Sequence, residues 1–469
     1  MTRADLTLQG SHLDALASTL LRADRMEHAA YVLYGVSHIG SDPFTQEPRI
    51  RLMVREVIPV TEDEITSSGF DHISWKTDKF VKLLARAERE GVQVGIAHSH
   101  PGGPTHFSDQ DDANEAELAR LAFNRNGTGA LTASLLFCGD GSVLGRVWSS
   151  PDTFDDFTTI STIGPRWKRF SRRASDELDQ AFDRQSLALG QEFTAIMRSL
   201  RFGVVGGGGT GSPILQQLPR MGAGFIGVFD PDTVEDTNLN RLYGATRADA
   251  DDHRKKIEVA RREISEMALG TRLETFDGWV GTEQYQDALK SMDVIFGCTD
   301  DHDGRALLNR LAYYYHIPVI DLGLALRVAE QDTERRLEAE GRVTILEPGS
   351  ACLLCRRIVN PSIAAEEALR RNDPSEYERR KKEAYVRGEG NPAPAVISFT
   401  TSVATMAIEE LIQRLTGFRG PDGSVSNRVR KFTRIEDVRP GAMLQPCRIC
   451  GQSHIHGLGD TKPFLGRVG

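Results

Sequence analysis

Two histidines, a serine and an aspartate follow an apolar run in a pattern that could bind a catalytic metal. His98 and His100 end the run that starts at Val92, and Ser108 and Asp111 come soon after a Pro-Gly-Gly turn. Side chains alternate along a strand, so both imidazoles should lie on one face. Ser108 as a helix N-cap would place Asp111 in the first helical turn. Two imidazoles and one carboxylate leave a fourth zinc position for water. Taken separately, these residues are a capping box and two ordinary strand histidines, but their combined spacing favours a catalytic zinc site.

A glycine-rich turn between two apolar runs is typical of a nucleotide site. Phe202–Val205 leads into Gly206, Gly208 and Gly211, and the next apolar run ends in Asp230. Backbone N–H groups at a helix N-terminus bind phosphate, and the acidic residue is well placed to bind a ribose. These residues alone leave ATP and a nicotinamide dinucleotide both open.

Polar residues beyond the second run favour ATP. Asp232, Asn238 and Arg241 follow in close order, and an enzyme that cleaves ATP at its α-phosphate needs such donors and cations around the triphosphate. A later apolar run ends in Asp300 and Asp301, and open α/β sheets bind ligands at the carboxyl ends of their strands. Asp301 has the alternative role of capping the following helix. Adenylation is the first hypothesis and a nicotinamide site the second.

Four of the six cysteines form two C-x-x-C pairs, at Cys352 and Cys355 and at Cys447 and Cys450. Two such pairs are suited to a closed tetrahedral zinc site, whose role would be structural. This use of cysteine fits a reducing compartment better than a disulfide scaffold does.

More than one domain must position these candidate site residues, because a chain of 469 residues is longer than a typical domain with a single hydrophobic core. Apolar periodicity predicts an α/β domain over residues 1–150, followed by a linker and a charged helix over 151–183. A Rossmann-like nucleotide domain with the cysteine site is predicted over 184–456, and a flexible tail over 457–469. The predicted fold class is therefore α/β throughout.

Composition narrows the possible partners. The net charge of −9 argues against a protein that binds nucleic acid through its phosphates. The N-terminal residues carry no apolar signal region and no run approaches the length of a membrane span. We therefore expect a cytoplasmic protein with no nucleic-acid or membrane partner.

The H-x-H-P motif at His98, followed by S-x-x-D at Ser108, resembles the JAB/JAMM (MPN) metallopeptidases. The resemblance implies zinc bound by His98, His100 and Asp111, and cleavage after the C-terminal glycine of a ubiquitin-like protein. It also implies a general base upstream, for which Glu27 matches, and an oxyanion contact from Ser108.

The segment from Arg201 to Arg241 resembles the ATP site of the ThiF/MoeB/HesA family and of ubiquitin-activating enzymes. The resemblance implies that Arg241 and Lys256 contact the phosphates, with Lys255 as the alternative lysine, and that Asp300 holds Mg²⁺. It further implies that Arg184 reaches the ATP of a partner subunit, which predicts a homodimer. The chain departs from the family at Leu242, where glutamine is usual.

The two cysteine pairs also occur in MoeB-like enzymes. Cys138 and Cys298 remain, and neither lies in a loop suited to form a thioester. The resemblance therefore implies that the chain stops at the acyl-adenylate or passes it to a separate conjugating enzyme.

Together the two resemblances imply a fusion that processes or releases a ubiquitin-like C-terminal glycine and activates the same terminus with MgATP. Such fusions resemble components of bacterial ubiquitin-like pathways, including antiphage operons. The alternatives are an activating enzyme for a sulfur-carrier protein, in cofactor or cysteine biosynthesis, and a non-catalytic scaffold.

Overall fold

Short apolar runs form the strands of two separate large sheets, one in each of two compact units. The structure, a computed structural model, describes residues 3–70, 72–171, 179–331, 334–382, 394–434, 436–442 and 446–466. The first unit contains residues 1–174 together with 314–316 and 454–469, and the second contains 175–313 and 317–453. Within the described residues, no helix is both long enough and apolar enough to cross a bilayer.

The first unit is a sheet that closes on itself, with helices packed on it. Its order is β1-β3-β2-β6-β7-β8-β9-β10, and β1 also pairs with β9. One core cluster lies between the sheet and α1, and another between the sheet and α2 and α3. The elements are β1 Arg3–Gln9, α1 Gly10–Leu20, β2 Ala29–Ile39, β3 Arg49–Pro59, β4 Ile65–Ser68, β5 Ile73–Trp75, α2 Asp78–Glu90, β6 Gln93–His100, α3 Asp109–Asn126, β7 Thr132–Cys138, β8 Val143–Ser150, β9 Thr153–Ile163 and β10 Arg169–Ser171.

The second unit is a Rossmann-like sheet extended by antiparallel strands. Its order is β13-β12-β11-β14-β15-β16-β17-β18, parallel from β13 to β15 and antiparallel beyond. The elements are α4 Asp183–Leu189, α5 Gln191–Ser199, β11 Arg201–Val205, α6 Gly211–Arg220, β12 Phe225–Phe229, α7 Arg247–Asp251, α8 Lys256–Met267, β13 Arg272–Phe276, α9 Gln286–Ser291, β14 Val294–Gly297, α10 His302–Tyr314, β15 Val319–Gln331, β16 Glu334–Leu346, α11 Pro361–Asn372, α12 Pro374–Lys382, α13 Ile397–Thr416, β17 Asn427–Lys431 and β18 Glu436–Val438.

The prediction of a linker and helix over residues 151–183 needs correction. Strand β9 lies there and pairs with both β8 and β1. Its polar appearance comes from threonines and aspartates, but Phe157, Ile160 and Ile163 are buried, and threonine suits a strand. Strand β10 follows, and residues 172–178 lie outside the described residues.

The predicted flexible tail over 457–469 is packed where the structure describes it. Gly459 pairs with Val36 on β2, and Asp460 accepts a hydrogen bond from the backbone N–H of His38 at 2.6 Å. A Cβ built on Gly35 would lie 1.8 Å from the carbonyl oxygen of Gly457, so the missing side chain permits this approach. Residues 467–469 lie outside the described residues.

Candidate metal and nucleotide sites

In the first unit, β6 and α3 bring together the three predicted metal ligands. His98 and His100 are each 3% exposed at the end of β6. Ser108 caps α3, and its hydroxyl and backbone N–H both donate to Asp111 Oδ2, at 2.8 and 2.7 Å. Asp111 Oδ1 then lies 3.1 Å from His98 Nε2, and Oδ2 lies 3.4 Å from His100 Nε2.

The donor set fits a divalent cation. One ligand atom from each of the three residues lies within 4.8 Å of the others. His100 Nδ1–H donates to the carbonyl oxygen of Pro104 at 2.9 Å, which leaves the Nε2 lone pair for a metal ion. Burial would raise the pKa of Asp111, but its contacts with the His100 and His98 imidazoles and the hydrogen bond from the Ser108 backbone outweigh burial and lower the pKa, so the carboxylate is ionised. These residue types and this geometry suit zinc.

Glu27 lies beside this set. Its carboxylate is buried, with Oε1 3.7 Å from His100 Nε2. The β4–β5 hairpin holds its backbone, because the N–H of Glu27 donates to the carbonyl of Gly69 at 2.8 Å and its carbonyl accepts from Ser68 Oγ at 3.0 Å. The structure thus brings the predicted base to the predicted metal ligands.

The walls of the pocket at this site contain residues that no sequence motif marks. Residues of the β4–β5 hairpin and of α3 line it, and they are His72, Ile73, Trp75, Gln110, Asn114 and Glu115. The α3 residues surround Asp111 at helical spacing, which is a signal that could have identified them. The hairpin residues are distant in sequence and carry no such signal.

In the second unit, a cavity of about 440 Å³ opens at the carboxyl ends of the parallel strands. The chain runs from β11 to β12 and β13 on one side and then to β14 on the other, so the cavity lies at the topological switch point. Eight of the predicted residues line it, and they are Gly206, Gly208, Asp230, Asp232, Asn238, Arg241, Lys256 and Asp300.

The glycines shape the floor of this cavity. Gly206 has φ +93°, and a Cβ there would lie 2.8 Å from the carbonyl oxygen of Cys298. A Cβ on Gly211 would lie 1.8 Å from the carbonyl oxygen of Gly206. Gly208 has nothing within 4 Å of its Cβ position, so its backbone is open to the cavity. This arrangement allows a phosphate to approach the N-terminus of α6.

Carboxylates and a lysine follow β12. Asp230 is buried and accepts hydrogen bonds from the N–H groups of Gly207 and Asp232, at 2.6 and 2.8 Å. Burial raises the pKa of Asp230. Lys256 Nζ lies 2.8 Å from Asp232 Oδ2 in the cavity wall, whereas Lys255 pairs with Asp277 at 3.0 Å. Of these two lysines, only Lys256 therefore lines the cavity.

The two aspartates after β14 have different environments. Asp301 accepts from the N–H of Gly304 at 2.7 Å, which caps α10, and from Trp279 Nε1 at 3.2 Å. Both aspartates line the cavity, but within the described part of the chain Asp300 makes no hydrogen bond or ion pair. Its carboxylate is thus available to a cation.

Arg184 is not in the cavity wall. It lies exposed on α4, a helix with no buried residue, near Leu187, which is 89% exposed. The structure therefore does not place Arg184 at the nucleotide cavity of its own chain.

Further side chains line the cavity that the sequence did not identify. Trp279 follows β13, Arg305 lies on α10, and Glu367 and Arg371 lie on α11. The Arg371 guanidinium stacks on the Trp279 ring, 3.3 Å from its centroid. Trp279 follows the end of a strand, and that position could have identified it from the sequence as a cavity residue. The α11 residues, in contrast, reach the cavity only through tertiary packing.

The four paired cysteines meet in the second unit. The sulfurs of Cys352 and Cys447 are 3.8 Å apart, and those of Cys355 and Cys450 are 3.6 Å apart. Zn–S bonds of about 2.3 Å in a tetrahedron place sulfurs about 3.8 Å apart. The spacing therefore fits a structural zinc ion.

Comparisons with known proteins identify both parts of the chain. The model of the ThiF family matches residues 182–446, and the model of prokaryotic homologs of the JAB domain matches residues 10–148. The predicted fusion and its fold class are thereby confirmed: a JAB-type α/β domain precedes a Rossmann-like ThiF-type domain.

Curated relatives match shorter stretches. The adenylyltransferase and sulfurtransferase UBA4 of Meyerozyma guilliermondii is 34% identical over 130 residues, which cover 27% of this chain and 30% of that protein. The SAMP-activating enzyme E1 of Haloferax volcanii is 28% identical over 167 residues, covering 36% of this chain and 57% of that protein. The chain thus spans between about a third and somewhat more than half of these relatives. A crystal structure of E. coli MccB with AMPCPP and MccA matches with a TM-score of 0.45 and 15% identity, over 59% of this chain and 75% of that one.

Proposed function

The chain belongs to the ThiF family, and from that premise we propose that it is a bifunctional enzyme of a ubiquitin-like modification pathway. One unit activates the C-terminal glycine of a ubiquitin-like protein with ATP, and the other hydrolyses the bond that follows such a glycine. The observation that carries the first activity is the cavity at the switch point, where an open glycine backbone, a buried aspartate suited to a ribose and the accessible carboxylate of Asp300 converge.

Adenylation forms a bond between a carboxylate oxygen of the tail and the α-phosphorus of ATP, and breaks the bond from that phosphorus to the β-phosphate bridge. Gly208 and the N-terminus of α6 bind the phosphates, and Asp230 accepts from the ribose. Arg241 and Lys256 neutralise charge on the triphosphate as pyrophosphate leaves. Mg²⁺ held by Asp300 would supply further neutralisation.

Hydrolysis at the first site uses the buried cluster around Asp111. Zinc held by His98, His100 and Asp111 would polarise the scissile carbonyl and acidify water. Glu27 takes a proton from the attacking water and returns it to the leaving amine. Ser108 Oγ donates to Asp111 in the structure, so stabilising an oxyanion requires its hydroxyl to rotate away.

The test of the first activity is pyrophosphate–ATP exchange with a ubiquitin-like protein that ends in glycine. We expect exchange that depends on Mg²⁺ and on the free C-terminal glycine, and none with a tail lacking that residue. Cleavage of a linear fusion beyond the same glycine tests the second activity. If neither tail-dependent exchange nor cleavage occurs with any ubiquitin-like protein of the pathway, the chain is a scaffold and the proposal is wrong.

We further propose a homodimer in which Arg184 serves the partner's cavity. The exposed position of Arg184 and Leu187 on a helix without buried residues supports this. Arg184→Ala and Asp300→Ala variants, each inactive alone, should regain exchange when co-expressed as mixed dimers. A site that uses its own Arg184 would show no such complementation.

Activation of a sulfur-carrier protein is the second candidate, because the similar protein of M. guilliermondii is named an adenylyltransferase and sulfurtransferase. Both candidates need a thiol beyond this chain. Cys138 is buried, the four paired cysteines are mutual neighbours, and burial strongly raises the pKa of Cys298. A conjugating enzyme that accepts the acyl group as a thioester would favour modification, including a role in antiphage defence, whereas thiocarboxylate formation with a sulfur donor would favour sulfur transfer.

A further inference from the structure

One buried arginine joins strand β8 to the start of α3. Arg146 donates from Nε to Glu115 Oε2 at 2.8 Å and from Nη1 to Asp112 Oδ1 at 2.5 Å. Both carboxylates lie in the first turns of α3, and Asp112 directly follows Asp111. A rigid guanidinium can hold two carboxylates at once in a way that an ammonium cannot.

The same guanidinium also holds the residue before the helix cap. Its carbon lies 4.0 Å from the ring centroid of Phe107 and 4.6 Å from that of Phe154 on β9. Trp148 on β8 contacts Arg146 as well, and its Nε1 donates to Glu115 Oε2 at 2.8 Å. The residues bound by Arg146 therefore flank Ser108 and Asp111 on both sides.

This cluster is not the arrangement that stability alone would favour. Arg146 and Glu115 are 2% and 1% exposed, and within the described residues Arg146 Nη2 and Glu115 Oε1 have no hydrogen-bond partner. Burying charges with unmet hydrogen bonds is costly, and apolar side chains of similar volume are often at least as stabilising. What the cluster provides is a fixed direction for the first turn of α3.

We propose that Arg146 is a positioning residue for the metal site: it sets the orientation of the α3 N-terminus and hence of the Asp111 carboxylate relative to the two imidazoles. This inference rests on the proposed zinc peptidase. The contacts of Arg146 are with residues that flank the ligands, so its effect is on geometry. A loosened carboxylate weakens metal binding and lowers the rate of hydrolysis more than the affinity for substrate.

The experiment measures zinc affinity of the full chain by chelator competition. Zinc at the four-cysteine site is separated from the first-unit zinc by taking the difference from a His98→Ala variant. Arg146→Lys keeps the positive charge but loses the guanidinium that binds two carboxylates at once. Glu115→Gln keeps the side-chain shape but loses the negative charge. Arg49→Lys is the matched control, since Arg49 is an equally buried arginine of the same unit that pairs with Asp5 and Asp42.

We expect Arg146→Lys and Glu115→Gln to weaken zinc binding at the first-unit site by about 10-fold or more. We also expect kcat for cleavage of the linear fusion to fall, with little change in KM. Arg49→Lys should leave zinc affinity unchanged, even if it lowers the unfolding temperature as much as the Arg146 and Glu115 variants do. Wild-type zinc affinity in both cluster variants, or an equal loss in the Arg49 variant, would overturn the inference. A wild-type chain without the His98-dependent zinc would instead overturn the proposed peptidase, and that measurement comes first.

Discussion

Asp300 and Asp301 are neighbours in sequence, and the structure predicts opposite consequences for their replacement. Asp301 caps α10 through the N–H of Gly304 and accepts from Trp279. Both residues line the nucleotide cavity, but Asp300 has no partner in the described part of the chain. Replacing Asp301 should therefore affect folding, and replacing Asp300 should affect catalysis.

The magnitudes follow from these contacts. Loss of a helix N-cap costs about 1 kcal/mol, and leaving the half-buried indole N–H of Trp279 without its acceptor costs about 1 kcal/mol more. Asp301→Ala should thus lower the free energy of unfolding by about 2 kcal/mol. Asp300→Asn should change stability by less than about 0.5 kcal/mol. Removing the charge that would hold Mg²⁺ should slow adenylation by about 100-fold or more, or roughly 3 kcal/mol in the barrier.

Two assays separate the effects. Urea unfolding of each variant gives stability, and pyrophosphate–ATP exchange at saturating Mg²⁺ gives adenylation. Exchange by Asp300→Asn within about threefold of wild type would refute the assignment of Asp300 to the cation. An Asp301→Ala protein as stable as wild type would show that the cap and indole contacts contribute little.

Other replacements test the remaining sites. Glu27→Gln should reduce cleavage of the linear fusion by at least about 100-fold, because a general base is lost, while pyrophosphate exchange stays at the wild-type rate; loss of both activities would contradict the division of labour between the units. Cys355→Ser should release the structural zinc and lower the unfolding temperature of the second unit, as measured by metal analysis and calorimetry, and retention of that zinc would count against a site built from the four cysteines. Burial lowers the pKa of His12 to about 4. Below about pH 6.5 the His12 imidazole therefore becomes protonated in the unfolded chain but stays neutral in the folded chain. Stability should therefore fall as the pH decreases from about 6.5 to about 4, by up to about 3 kcal/mol, and His12→Asn should flatten that dependence in urea unfolding; an unchanged slope would exclude His12 as its source.

Local spacing predicted much of both sites. The fusion and its fold class follow from motifs in which each residue needs only its own strand or helix to be placed. His98 and His100 share a face because strand side chains alternate, and Asp111 sits in the first turn because Ser108 caps the helix. The glycine turn and the residues after β12 and β14 are likewise ordered by a strand end.

The failures have a common physical cause. The threonines and aspartates of strand β9 give it the polar composition of a linker, although its apolar residues pack into a closed sheet. The segment from Gly457 reads as a flexible tail in the sequence, although the missing side chains of Gly35 and Gly459 allow it to contact β2. In both cases a distant strand provides the partner.

The sequence by itself therefore determined which chemistry we propose for this protein, because metal and phosphate binding demand particular residue types at short, regular spacings. Only the tertiary structure decided which side chains surround these candidate sites. They include the Arg371–Trp279 stack in the wall of the nucleotide cavity, the different partners of Asp300 and Asp301, and the hydrogen bonds from Arg146 to the start of α3. Most of these contacts join residues separated by tens of positions, and such pairs meet only when whole elements pack, so no local pattern records them.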